Sequence, residues 1–106
     1  MLPEVVDAVG KRITVLVDSG FRRGADVVKA LALGAQAVLV GRAPLYGAAI
    51  GGEAGAARAI EIYRDEIDRL LALIGCPGVA HLGREYLASS AGIDTGAGTL
   101  GVQRPV

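Results

Sequence analysis

The segment Asp18-Ser19-Gly20-Phe21-Arg22-Arg23-Gly24 gathers the residue types that hold an anion. Small residues let the backbone come close to a ligand. Free N–H groups, above all those at a helix N-terminus, favour negative charge there. Arg22 or Arg23 can add a two-pronged clamp on phosphate oxygens. Gly41-Arg42 repeats the pairing of Gly and Arg further on. For one such loop the plain alternative, a tight turn beside solvated arginines, stands level with ligand binding; two in succession favour the anion. No catalytic constellation and no metal site accompanies them. His81 is the only histidine and Cys76 the only cysteine, which excludes an internal disulfide and a structural zinc module.

The elements around these loops follow from pattern. Ile13–Val17 is a β-branched and leucine run, suited to a strand covered on both faces. Asp18-Ser19-Gly20 ends it. Ala25–Leu33 reads as a helix with Val27, Val28, Leu31 and Ala32 on one face and Gly34 as its C-cap. Ala37–Val40 reads as a second buried strand, ended by Gly41. A helical turn at Glu4–Val9, with Pro3 at its first position, precedes the first strand. Arg42–Ala49 reads as a short helix and Gly51-Gly52 as a break. Glu53 or Ala54 then opens the longest helix, to about Ile74. Its apolar stripe is Ile60, Tyr63, Ile67, Leu70, Leu71 and Ile74. Asp65 and Arg69 sit four apart on its wet face. Tyr46 and Tyr63 are expected in the core, and Cys76 is expected to pack rather than react. Glu53 supports the helix start, and Lys29 and His81 are surface residues. After about Ala88 periodicity ends, so residues 1–88 form one unit and residues 89–106 a loose tail.

With 106 residues the chain makes one small domain. Eleven basic and eleven acidic residues cancel, which argues against a nucleic-acid partner. No apolar run reaches the ~18 residues of a membrane span. Neither a basic flank nor an apolar signal region follows Met1, so the expected location is cytoplasmic.

Strand, helix and strand in that order imply a parallel α/β crossover. Two parallel strands do not form a sheet that stands alone, so the unit reads as part of a larger sheet. In a (β/α)8 barrel the phosphate site is built from the loops after strands seven and eight with a short extra helix. Two Gly- and Arg-bearing strand ends, the second followed by a short helix, fit that description.

Val15–Gly47, VLVDSGFRRGADVVKALALGAQAVLVGRAPLYG, closely resembles the C-terminal part of the FMN-dependent 2-hydroxy-acid dehydrogenases and oxidases. That family includes mandelate dehydrogenase, flavin-type lactate dehydrogenase and oxidase, and glycolate oxidase. The likeness extends upstream through Leu2-Pro3-Glu4-Val5-Val6 and downstream through Gly52-Glu53-Ala54-Gly55 to Ile74-Gly75-Cys76. Ser19 and Phe21 look most like the mandelate dehydrogenase branch, since the commoner family form has Gly and then Val or Ile there. The resemblance implies that the fold is the C-terminal portion of a TIM barrel, with Ile13–Val17 as strand seven and Ala37–Val40 as strand eight. It implies FMN as cofactor. Asp18 would accept hydrogen bonds from the ribityl chain or fix the loop. Ser19, Gly20 and Phe21 would offer backbone contacts. Arg22 would bind the FMN phosphate, with Gly41 and Arg42 closing the same site; Arg23 more often points away.

The resemblance also implies what lies elsewhere. The family's catalytic His, substrate-binding arginines, pocket tyrosines and flavin-side Lys fall upstream of the segment matching Leu2–Val6. His81 does not match that motif. The chain is therefore expected to be a fragment, a truncated frame or one piece of a split enzyme, inactive by itself. Its partners would be FMN, the missing N-terminal barrel portion and, in the complete protein, a small 2-hydroxy acid and further copies of itself. Membrane association of the complete protein stays open. Two other readings remain: a different FMN or phosphate-binding barrel, such as an inosine monophosphate dehydrogenase-like protein, and a non-catalytic remnant.

Overall fold

A computed structural model describes residues 1–89 of the chain. The expectation of a loose tail over 89–106 falls, but for its first residue, outside the described residues. Helix α1 spans Leu2–Val9, strand β1 Leu16–Asp18, helix α2 Gly24–Ala32, strand β2 Ala37–Leu39 and helix α3 Arg42–Ile74. Two 3-10 turns, Val79–His81 and Arg84–Tyr86, follow.

Helix α1 starts two residues before the expected Glu4 because Pro3 is accepted in the first turn, where no amide is needed. Val6 of α1 packs over Gly34, where a Cβ would meet Val6 Cγ1 at 2.6 Å. Gly34 also has φ +107, so both space and backbone conformation require glycine there.

Strand β1 is shorter than the expected Ile13–Val17 and lies later. The amide of Ile13 still donates to Val9 O at 3.0 Å, so Ile13 belongs to the turn that leaves α1. Val15 is clamped by a side chain, its amide donating to Gln36 Oε1 at 2.6 Å while Gln36 N donates to Val15 O at 2.9 Å. The parallel ladder begins only after this clamp, with Leu16 beside Ala37, Val17 beside Val38 and Asp18 beside Leu39.

Each strand is covered on one face only, in keeping with strands that need neighbours this chain does not supply. Val17 and Val38 are half-buried on one face. Leu16 and Leu39, which alternation puts on the other, are 56% and 54% exposed. Among the described residues α2 packs against β2 and α3, and nothing covers the Leu16–Leu39 face. The core is built of small groups: Val15, Val27, Val28, Ala30, Ala32, Ala35, Tyr63, Leu71 and Cys76.

Helix α3 is broken at Gly51 and Gly52, whose backbone angles are non-helical. The two segments, 42–50 and 53–74, turn back on each other at Gly47 and Gly55. A Cβ on either glycine would run into the other's carbonyl oxygen. The break matches expectation, and the crossing explains why glycines flank it. In the second segment Tyr63 and Leu71 are buried and Ile67, Leu70 and Ile74 half-buried, whereas Ile60 is 49% exposed. The stripe is truncated because α2, with 9 residues, is only about 13 Å long and covers α3 from Tyr63 onward. Asp65 faces Arg58 at 3.8 Å rather than pairing with Arg69. Gly75 ends the helix with φ 71.

Cys76 is buried and its thiol donates to Gly78 O at 3.2 Å, the packing role expected of it. Arg84 closes the fold by pairing with Asp7 of α1 at 2.8 Å. Lys29 and His81 are exposed, as expected. No described helix is long and apolar enough to cross a membrane.

Candidate functional site

β1 and β2 run parallel, so their C-terminal ends lie side by side and both outgoing loops meet at one edge. Between them lies an open cleft of about 500 Å³, within the usual size range of ligand sites. All seven residues singled out from sequence line it: Asp18, Ser19, Gly20, Phe21 and Arg22 from one loop, Gly41 and Arg42 from the other. Leu39, Val40, Ala43 and Tyr46 complete the lining. Tyr46 is thus a correction: it is 59% exposed rather than in the core, because with Arg42 and Ala43 it lines the cleft at the strand ends.

The first loop is sharply folded. Ser19 and Gly20 have φ of 87 and 82. Glycine adopts that conformation freely, whereas Ser19 is strained in it. The Ser19 amide donates to Asp18 Oδ1 at 2.7 Å, which steadies the turn.

Beyond Gly20 the loop is held from three sides. Tyr63 of α3, 7% exposed, donates from its hydroxyl to Phe21 O at 2.7 Å. Burial pushes the Tyr63 phenol above its ordinary range. Asp26 accepts from the amides of both Arg22 and Arg23 at 3.0 Å, and these two bonds hold its carboxyl below its usual range. Glu66 of α3 accepts from Gly24 N at 2.6 Å and from Arg23 Nε at 2.9 Å. An ion pair to Arg23 Nη2 at 2.7 Å joins them. The Arg23 guanidinium, and then the Gly24 amide, hold the Glu66 carboxyl below its usual range. Gly24 admits no side chain, since a Cβ would meet Ile67 N at 2.9 Å.

These contacts correct one expectation. The amides of Arg22, Arg23 and Gly24 are engaged by the chain's own carboxylates, so the N-terminus of α2 is not free for an anion. Among the described residues the amides of Gly20, Phe21, Gly41, Arg42 and Ala43 have no such partner. The open N-terminus at the cleft is that of α3. The arginines divide likewise: Arg23 is paired, whereas Arg22 and Arg42 are exposed and form no ion pair with a described residue. Asp26 could have been found from its position three residues after Arg23, a familiar capping spacing. Nothing local marks Tyr63 or Glu66, which reach the loop from 42 residues or more away along the chain.

The family model for FMN-dependent dehydrogenases matches residues 1–89. The chain belongs to the FMN-dependent dehydrogenase family. It is 50% identical over 95 residues to (S)-mandelate dehydrogenase of Pseudomonas putida, covering 90% of this chain and 24% of that protein. It is 48% identical over 86 residues to L-lactate oxidase of a Nostoc species, covering 81% of this chain and 24% of that protein. The structure of a soluble mutant of the membrane-associated P. putida (S)-mandelate dehydrogenase superposes with a TM-score of 0.79 at 52% identity, over 83% of this chain and 25% of that one. The flavin-binding domain of baker's yeast flavocytochrome b2 gives 0.77 at 41% identity, over 82% and 23%. The chain thus spans about a quarter of the length of the relatives it matches. The structural relatives are TIM-barrel flavoenzymes, and the cofactor of the family is FMN.

One expected result concerns the clamp on the first loop. Asp26 and Glu66 both titrate lower folded than unfolded. Their contribution is therefore complete above the unfolded carboxylate range near pH 4 and is lost as pH falls through the folded values. Hydrogen exchange of the Arg22, Arg23 and Gly24 amides should lose protection below about pH 4, before the β1–β2 ladder does. Protection of these three amides that persists on acidification until the β1–β2 ladder itself opens would show that the carboxylates do not hold the loop.

Proposed function

We propose that the chain supplies the phosphate-binding part of the cofactor site in a flavoenzyme that oxidises a 2-hydroxy acid, mandelate- or lactate-like, to the 2-oxo acid. The observation that carries this reading is the cleft itself: two strand ends deliver Arg22 and Arg42, neither in an ion pair with a described residue, to one opening beside the N-terminus of α3, whose first amides have no carboxylate partner among the described residues. The donor set fits a dianionic phosphate. Two guanidiniums offer charge-assisted hydrogen bonds, and the amides of Gly41, Arg42 and Ala43 add the positive end of the helix. Ser19, Gly20 and Phe21 would present backbone to the cofactor, and Asp18 would accept from its hydroxylated chain or fix the turn. FMN, when bound, supplies the hydride acceptor for the oxidation.

In this reading β1 and β2 are strands seven and eight of the barrel, which is where the fold class puts its phosphate site. The bare Leu16–Leu39 face would be the side turned to the barrel interior. His81 is not among the cleft-lining residues, so the proton acceptor for the substrate hydroxyl would come from the rest of the enzyme. The identities to mandelate dehydrogenase and lactate oxidase support this substrate class over that of other phosphate-binding barrels.

The test is a flavin spectrum taken on the purified chain and on (S)-mandelate dehydrogenase whose matching quarter has been replaced by this chain. The replaced enzyme should retain FMN through gel filtration and oxidise a 2-hydroxy acid; the chain by itself should turn over none. Loss of flavin from a folded replaced enzyme would refute the reading. So would oxidation of mandelate or lactate by the 106-residue chain alone.

A further inference from the structure

Two helix N-termini and three arginines lie at or next to the cleft, yet among the described residues only the N-terminus of α3 and the side chains of Arg22 and Arg42 have no carboxylate partner. Glu66 makes much of that difference. Its carboxylate takes the Gly24 amide at 2.6 Å, and Arg23 Nε at 2.9 Å and Nη2 at 2.7 Å. The Glu66 side chain is 18% exposed, so this carboxylate is largely withdrawn from water, while the Arg23 side chain lies across it at 74% exposure. The contact is made where α3 presses on Gly24 so closely that no Cβ fits. A carboxylate so placed occupies the position an anionic ligand would take at the start of α2.

We propose that Glu66 is a positioning residue for the cofactor phosphate: it plugs the α2 N-terminus and neutralises Arg23, so that the anion is directed to Arg22, Arg42 and the N-terminus of α3. The proposal rests on the reading of the cleft as a flavin phosphate site. It gives α3 a double part, since segment 42–50 offers the open N-terminus while segment 53–74 closes the competing one. Asp26 assists by taking the Arg22 and Arg23 amides at 3.0 Å. The rise in Arg23 basicity caused by the Glu66 hydrogen bond agrees with a firm pair.

The experiment uses the full chain inside the replaced mandelate dehydrogenase, with Glu66→Ala and Glu66→Gln. Removing the plug should do two things at once. FMN affinity should fall about tenfold, the scale set by one charge-assisted hydrogen bond. The FMN-loaded variant should also bind one inorganic phosphate per chain in equilibrium dialysis, where the parent binds none, and Arg23→Ala added to Glu66→Ala should abolish that binding. A merely structural Glu66 would lower thermal stability without creating an anion site. Folded Glu66→Ala or Glu66→Gln protein with parental FMN affinity and no bound phosphate would overturn the proposal. Should Glu66→Ala not fold, Glu66→Gln decides, because loss of the carboxylate charge leaves Arg23 free to hold a phosphate even where the amide oxygen still accepts from Gly24. If the parent itself retains no FMN, the flavin reading fails; phosphate bound by the variants in excess of the parent then still reports separately on the plug.

Discussion

Replacing Arg22 and Arg42 together with alanine is expected to strip FMN from the enzyme that carries this chain. Both side chains are exposed at the cleft without a carboxylate partner among the described residues, so neither is needed to hold the fold. Their removal costs little stability, and the effect falls on the ligand. A hydrogen bond to a charged group contributes about 1.5–3 kcal/mol, and each ~1.4 kcal/mol is tenfold in affinity. Each single variant should therefore weaken FMN binding by roughly ten- to a hundredfold. The double variant should fall short of the product, because two arginines on one phosphate share its charge and its position. Isothermal titration of apoenzyme with FMN measures all four corners of the cycle. Strict additivity would place the two arginines on different groups of the ligand. Unchanged affinity in either single variant would remove that arginine from the site.

Arg23 marks the limit of what residue types alone make legible, since only the family resemblance ranked Arg22 ahead of it. Arg22 and Arg23 are adjacent, identical in type and equally able to clamp a phosphate. Only the arrival of Glu66 from α3 separates them, and that contact is non-local. The cleft itself was legible because parallel strands put their C-terminal ends on one edge, so two Gly-Arg strand ends had to converge. Strand limits were not. Ile13 and Thr14 have strand character, but a ladder forms only where a partner runs alongside, and the turn out of α1 holds Ile13 back. Strand burial follows the same logic. Side-chain type at Leu16 and Leu39 suits strands covered on both faces, while their exposure reports what these residues cover for themselves. Tyr46 misled, since helical periodicity says that a face is apolar and not whether the apolar face meets core or cleft.

Gly55→Ala and Gly47→Ala should each destabilise the fold and loosen the cleft, against the ordinary trend for glycine in helices. Helix propensity alone favours alanine over glycine by about 1 kcal/mol. At these two positions a Cβ would strike the backbone carbonyl of the facing segment, and a carbonyl within a helix cannot turn aside as a flexible side chain would. The segments must separate, at a cost of roughly 1–3 kcal/mol for overpacking. That movement matters to the site because segment 42–50 bears Arg42 and Tyr46, whereas segment 53–74 bears Tyr63 and Glu66, which fix the loop of Arg22. Prising the crossing apart shifts one arginine relative to the other. Displacement of one donor from a shared phosphate forfeits much of its hydrogen bond, so FMN affinity should fall by about tenfold along with stability. Gly51→Ala is the control: it stands in open space at φ −141, with no atom within 4 Å of the added Cβ, and should leave both quantities near parental values. Thermal melts and FMN titrations of the three variants in the replaced enzyme separate the cases. A stabilised Gly55→Ala protein with undiminished FMN affinity would show that propensity outweighs the crossing and that the two halves of α3 do not depend on each other to hold the cleft.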